Sequence, residues 1–340
     1  MLDISGRCVA KATNPEATRV AWRECSPVVL ALRMCKDRRV PELPDVAVYV
    51  ERIAERVAGH RLEQLRVKSP FVLRTAVPPI ADAEGKEVTD VRRLGKRIVL
   101  ALEEERYIVV HLMIAGRFQW LTQRKPLAGR VGLAAFDFSS GTLLLTEAGT
   151  RKRASIHYVV GLSSLAQFAR GGIEVFEVDQ PAFERAMTLQ RHTLKRALTD
   201  PTIVSGIGNA YSDEILHRAR LSPLQMTDRV APEHWGQLFR ATRQVLEEWT
   251  TRLRAETAHE FPEHVTAFRK EMAVHGRYGQ PCPDCQTPVQ RIVYASNETN
   301  YCPTCQTAGK LLADRSLSRL LREDWPRTLE ELEERKAGAR

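Results

Sequence analysis

The sequence lacks any long apolar run. No stretch of its 340 residues approaches the length of consecutive apolar residues that a membrane-spanning helix needs, roughly eighteen or more. A secretion signal is also missing: the apolar run Val28–Leu32 is too short and comes too late to follow the basic, apolar, small-residue order of one. Internal repeats and low-complexity tracts are absent, which excludes solenoid and fibrous architectures. Cysteine is scarce. Three of the seven, Cys8, Cys25 and Cys35, fall within residues 1–39, and the other four form two C-x-x-C pairs. With no export signal, a reducing cytoplasm and a metal site fit these four better than a disulfide framework.

What is present is enough chain for two domains, each with its own core. The formal net charge is +9. Residues 1–39 hold eight Lys/Arg and four Asp/Glu, so the remainder carries +5. That excess permits a polyanionic partner without demanding one. Basic residues cluster at Arg92, Arg93, Lys96 and Arg97, at Arg151–Arg153, and at Arg191, Lys195 and Arg196.

Apolar residues at Val46, Val50, Ile53 and Val57 mark one helical face, opened by Pro44 and Asp45 and closed at Gly59. Short strand-like runs follow at 62–67, 87–91, 97–102, 107–112, 116–121, 131–138, 142–146 and 155–160. Many short strands predict a sandwich or barrel. From Pro181 to Arg254 the pattern is helical, with a long amphipathic helix over 234–253. Residues 1–39 show no sustained period of either kind. The segment after Gln306 is charged and helix-prone, with Leu317, Leu320, Leu321, Leu329 and Leu332 spaced for it and Pro326 as a break.

Two modules carry chemistry. Cys282, Cys285, Cys302 and Cys305 have the spacing C-x2-C-x16-C-x2-C. Four thiolates close a tetrahedral zinc site and leave no open position, so one structural Zn2+ is expected, held across a hairpin of strands over 289–294 and 298–301. The second module runs from Thr193 through Gly206-Ile207-Gly208-Asn209-Ala210-Tyr211-Ser212-Asp213-Glu214. Its glycines permit a tight turn, Asn209 is placed as N-cap of the following helix, and the N–H groups of that helix offer a phosphate site.

Taken with the string Pro41-Glu42-Leu43-Pro44-Asp45-Val46, these modules resemble the Fpg/Nei family of DNA glycosylases, the formamidopyrimidine-DNA glycosylases and their endonuclease VIII-like relatives. The resemblance covers nearly everything from Pro41 to Gln306, in order: the Pro-Glu start, a β-rich domain with Arg92–Arg97 and His111–Gly116, a helix–two-turn–helix and a zinc hairpin. It implies an α+β fold: an N-terminal β-sandwich with an opening helix (41–165), a helix–two-turn–helix domain (175–270), a zinc finger (275–306) and a charged helical extension (307–340). It implies a monomer acting on double-stranded DNA with damaged bases or abasic sites, in the bacterial nucleoid. It also implies removal of oxidised bases with abasic-site lyase activity. Pro41 would be the nucleophile through a free secondary amine, Glu42 the acid that opens the sugar ring, and Lys96 the essential lysine beside the phosphate. Asn209, Lys195, Arg151, Arg130 and Arg277 would contact DNA.

An amide nitrogen inside a chain cannot do amine chemistry, and here forty residues precede the implied nucleophile. A start at position 40 is the expectation, because a valine codon can serve bacterial initiation and removal of the initiator would leave Pro41 first. If Pro41 stays internal, the implied protein is a non-catalytic lesion binder. A zinc-ribbon protein of RNA or translation is the third reading, against which the Pro41–Lys96–Asn209 series argues. The chain departs from the family in two places. No arginine lies between Cys302 and Cys305, where Pro303 and Thr304 stand, nor within 296–300, which leaves Arg277 and Arg291 as substitutes. Among residues that fill the void left by an extruded base, Ile114 takes the methionine's place with Met113 beside it, and no phenylalanine follows Arg151. The Pro-Glu-Leu-Pro start implies oxidised purines as substrates, whereas the zinc-finger proline implies oxidised pyrimidines.

Overall fold

The computed structural model describes residues 40–127, 129–149, 151–258, 260–262, 269–294, 297–313 and 326–338. The expectations for residues 1–39 and for Leu317, Leu320 and Leu321 lie outside them.

Helix α1 (Leu43–Val57) starts where Pro44 presets the first turn and Asp45 accepts the Glu42 N–H at 3.0 Å. Its apolar stripe serves two cores. Val46, Tyr49, Ile53 and Val57 pack with the strands, while Leu43 joins the helical core. Gly59, at φ +76°, turns the chain out of the helix.

Eight antiparallel strands form the sandwich: β1 (Leu62–Val67), β2 (Val88–Leu94), β3 (Arg97–Leu102), β4 (Arg106–His111), β5 (Gly116–Leu121), β6 (Gly132–Phe138), β7 (Gly141–Glu147) and β8 (Ser155–Val160). One sheet has the order β1-β6-β7-β5 and the other β2-β3-β4-β8. Inward-facing Leu65, Ile98, Leu100, Ile108, Val110, Phe118, Phe136, Leu143, Leu145 and Ile156 fill the space between them. The expected sandwich is therefore present, with strand ends that differ from the sequence reading by a few residues.

A short helix α2 (Leu162–Ala166) leads into the helical region. This comprises α3 (Gln180–Thr188), α4 (Leu194–Thr199), α5 (Asn209–Arg218) and α6 (Pro232–Thr257). Asp179 caps α3 and Thr193 caps α4 with their side chains. The core contains Phe183, Met187, Leu198, Tyr211, Leu216, Trp235, Leu246 and Trp249. Helix α6 starts earlier than expected because Pro232 sits in its first turn, and it runs on to Thr257. A hairpin of β9 (Gln290–Tyr294) and β10 (Asn297–Tyr301) follows, then α7 (Pro303–Thr307). Beyond it the chain is tied back by Leu312 N–H donating to Tyr301 Oη at 2.7 Å, and it ends in α8 (Leu329–Gly338).

Candidate active site

The site is built where α1 of the sandwich meets the turn before α5. The Leu43 N–H donates to the Gly206 carbonyl at 2.9 Å, which fixes the start of α1 against that turn. The neighbouring Glu42 is buried, and its carboxylate accepts the backbone N–H groups of Gly208 (2.6 Å), Ala210 (2.9 Å) and Tyr211 (3.3 Å). The N-terminus of α5 is thus capped by a side chain 166 residues away in sequence. Two expectations are corrected here. Gly208, not Asn209, is the N-cap residue, and the N–H groups foreseen as a phosphate site hold Glu42 instead. Local reading favoured Asn209 because asparagine is a strong cap. The tertiary fold brings a carboxylate, which satisfies several N–H groups at once and complements the positive end of the helix.

Gly208 matters for space, since its φ of −131° suits any residue. A Cβ there would lie 2.5 Å from Glu42 Oε1 and 2.6 Å from Lys96 Nζ. Glu42 and Lys96 therefore converge on one point over the α5 N-terminus. Lys96 projects from the turn between β2 and β3, formed by Gly95 at φ +61°. Burial lowers its pKa and the Glu42 charge partly restores it. Pro41, immediately before Glu42, is buried. Asp45, one turn on in α1, is fully buried, and desolvation pushes its carboxyl up to about 6 against the opposing pull of the Glu42 N–H and Arg269. Of the three residues expected to carry catalysis, Glu42 and Lys96 thus converge, and Pro41 directly precedes Glu42 in the chain. The sequence reading assigned Asp45 no part in holding Glu42 and Gly208 no role in leaving room for it.

The expected DNA contacts divide. Arg130 and Arg151 are exposed on loops of the sandwich. Asn209 donates from Nδ2 to the Glu298 carbonyl at 2.8 Å, joining the turn to the zinc hairpin. Lys195 is held by partners within the protein. Its ammonium bonds the Asn209 carbonyl (2.9 Å), Ser212 Oγ (3.1 Å) and Asp213 Oδ1 (2.5 Å), and its side chain is only 12 % exposed. It is the cation of a buried pair, because Asp213, on the inner face of α5, needs one. Arg277 donates to the carbonyls of Met272 and Pro281, so it shapes the approach to the hairpin. Arg291 pairs with Glu298 at 3.0 Å and lies 4.3 Å from the centre of the Tyr278 ring.

Asp213 also accepts from the Asn300 N–H (3.1 Å) and bonds His275 Nδ1 (2.6 Å). Glu214 accepts the N–H groups of Ala273, Val274 and His275. These carboxylates dock the zinc module on α5. The sequence displays the Asp213-Glu214 pair but not its targets, which lie 59 or more residues downstream.

The four cysteine Sγ atoms lie within 4.8 Å of one another, with Cys282–Cys305 at 3.9 Å and Cys285–Cys302 at 3.4 Å. Zinc–sulfur bonds of about 2.3 Å in a tetrahedron require edges of about 3.8 Å. The geometry fits the expected ion, and the donor set suits zinc held for structure. His217 Nε2 approaches Cys282 Sγ at 3.3 Å from α5.

A sandwich joined to a helix–turn–helix and a closed four-thiolate finger, with an acid and a lysine gathered at the junction, defines a class of enzyme that works on nucleic acid. Within it, the N-terminal domain model of formamidopyrimidine-DNA glycosylase matches residues 40–156, the corresponding H2TH domain residues 174–258, and the zinc finger found in FPG and IleRS residues 279–308. Formamidopyrimidine-DNA glycosylase of Thermus thermophilus is 33% identical over 282 residues, covering 79% of this chain and 100% of the relative. The enzyme of Desulfitobacterium hafniense is 31% identical over 279 residues, covering 78% and 100%. The crystal structure of the Thermus thermophilus MutM (Fpg) protein, at 31% identity, superposes with a TM-score of 0.66 over 78% of this chain and 98% of that one. The Lactococcus lactis Fpg bound to DNA containing an abasic site shares the fold at 22% identity, with a TM-score of 0.70 over 78% and 99%. The chain belongs to the formamidopyrimidine-DNA glycosylase family.

Proposed function

We propose that this protein is a bifunctional base-excision enzyme, a DNA glycosylase and abasic-site lyase, whose active form begins at Pro41. The observation that carries the reading is the convergence of Glu42 and Lys96 on the α5 N-terminus, with Pro41 directly before Glu42 in the chain. An N-terminal amine titrates at roughly 7.7–8.0, so a useful fraction is neutral at physiological pH. The lone pair of the Pro41 nitrogen attacks sugar C1′, and the C1′–base bond breaks with its electrons leaving on the base. The new C–N bond leaves Pro41 an ammonium. Its N–H proton passes to the Glu42 carboxylate and on to the ring oxygen. The C1′–O4′ bond then breaks with its electrons on oxygen and an iminium remains between Pro41 and C1′, while the departing base takes a proton from water. The adjacent C–H is then acidic, and loss of that proton expels the 3′ phosphate by β-elimination, then the 5′ phosphate by δ-elimination. In this reading the Lys96 ammonium meets the lesion's phosphate and steadies its charge.

Oxidised purines are the substrate class this reading favours. The relatives are named for a ring-opened purine, and the string Pro41-Glu42-Leu43-Pro44 resembles the start of the purine-excising branch of the family. Zinc, bound by Cys282, Cys285, Cys302 and Cys305, holds the finger and takes no part in bond making. The chain acts as a monomer on damaged duplex DNA in the cytoplasm.

The test is borohydride trapping on abasic-site DNA. A protein whose first residue is Pro41 becomes covalently attached, and the 340-residue form does not. Pro41→Gly weakens trapping, while Glu42→Gln abolishes base excision and spares part of the lyase activity. Equal trapping of the two forms overturns the proposal.

A further inference from the structure

The outer face of the β2-β3-β4-β8 sheet is apolar over much of its area, where Val99, Ala101, Tyr107 and Val109 pack beneath Leu165 and Phe168. At the end of the strands nearest Lys96 its character changes. Arg97 stands opposite His111, and His111 opposite Ser155, in neighbouring strands. His157 lies two residues further along β8 and so faces the same way. The Arg97 guanidinium sits 5.9 Å from the centre of the Phe168 ring and donates to the Phe168 carbonyl at 3.1 Å. The His157 ring meets the same phenylalanine edge-on at 4.8 Å. Phe168 thus holds an arginine and a histidine in fixed orientations on an otherwise greasy surface.

The electrostatics of this corner are one-sided. Burial and then Arg170 lower the pKa of Arg97. Burial, Arg97 and Lys96, in that order, bring His111 down to about 4, with His157 adding a smaller push. Burial, Arg97 and Arg74 lower His157. The charged side chains that shift these three are basic: Arg170, Arg97, Lys96 and Arg74. The nearby acids are engaged elsewhere: Glu174 by Arg93 and Ser205, and Asp90 by Arg92 at 3.7 Å. Gathering like charges without counter-charges costs free energy in the isolated protein, and a polyanion laid across them relieves that cost. A neutral imidazole beside them adds an N–H donor for a phosphate oxygen.

We propose that Arg97, His157 and Arg170 form a second phosphate-binding track. It holds the sugar–phosphate backbone of the bound duplex beyond the nucleotide centred on Glu42 and Lys96. The inference rests on the reading of the protein as a DNA glycosylase. It extends the DNA-binding surface from the domain junction onto the outer face of the sandwich.

The experiment is a salt titration of equilibrium binding to one abasic-site duplex, read as log affinity against log salt. Wild type should show a slope of about −0.9 per phosphate neutralised. Arg170→Gln and Arg97→Gln should each weaken binding and reduce the slope by about one unit. Arg170 is exposed, so its replacement tests charge without disturbing packing. Arg61→Gln, at the opposite end of the strands where Arg61 pairs with Glu103 at 3.3 Å, should leave the slope unchanged. If both track variants keep the wild-type affinity and slope, the track is refuted while the glycosylase reading stands. A wild-type protein without salt-dependent affinity for DNA refutes the glycosylase reading itself.

Discussion

Replacing Gly208 by alanine adds one methyl group at the most crowded point of the site. The new Cβ would lie 2.5 Å from Glu42 Oε1 and 2.6 Å from Lys96 Nζ, where ordinary contacts are 3.4–4 Å. The backbone at Gly208 has φ −131°, so the peptide itself tolerates alanine and the conflict is between side chains. Either Glu42 retreats by about 0.9 Å and loses its bonds to the N–H groups of Gly208, Ala210 and Tyr211, or α5 moves away from α1. A displacement of about 1 Å in a catalytic group lowers rate by roughly a hundredfold, or about 2.7 kcal/mol of transition-state stabilisation. Loss of the helix cap costs about 0.5–2 kcal/mol of stability besides. The assay is single-turnover excision by a protein beginning at Pro41, with thermal denaturation alongside. Excision within about threefold of wild type, in a protein that melts as wild type does, would refute the claim that Glu42 must sit on the α5 N-terminus.

Three further outcomes follow from the same geometry. Asp45 holds its proton in the folded state up to about pH 6, against 3.8 for the ordinary carboxyl, because burial disfavours its charge. Stability therefore falls as pH rises from about 4 to 6 and stays lower above that range. Asp45→Asn should gain up to about 3 kcal/mol over wild type at pH 7 but nothing at pH 3.5, as read by urea unfolding; an equal difference at both pH values refutes this. Lys195→Met strands Asp213 without its cation and should lose about 3–5 kcal/mol of stability while leaving the salt slope of DNA binding unaltered; a slope smaller by one unit would show that Lys195 meets phosphate after all. Elemental analysis should find one zinc per chain. Chelation should unfold the hairpin and weaken DNA affinity, because the hairpin is bonded to α5 through Asn300 and through Asn209; a zinc-free chain with full affinity contradicts it.

Much of the protein is written in short-range pattern. The stripe Val46–Val57 makes an amphipathic helix whatever surrounds it, and the short apolar runs from 62 to 160, several separated by turn residues, make strands. The cysteine spacing defines a four-thiolate site because ligand geometry restricts the intervening chain. Pro41, Glu42 and Lys96 could be named because the strings around them resemble those of a known family. Their role would not follow from composition, since a proline, a glutamate and a lysine each have commoner duties in helix starts and on surfaces. What the sequence could not show is which partner each polar group finds. The sequence favours Asn209 as the cap of α5 because a local side chain usually supplies the cap's acceptor, yet the carboxylate that arrives is Glu42 from the sandwich. The family resemblance gives Lys195 as a DNA contact, and folding sets the buried Asp213 against it at 2.5 Å, a partner 18 residues on that the sequence does not reveal. Both outcomes depend on contacts between residues far apart in the chain. Periodicity and spacing determined the elements, the finger and the residue types at the site. Tertiary packing alone decided where the charges are satisfied, because a buried carboxylate takes the donors that the fold brings to it rather than those nearest in sequence.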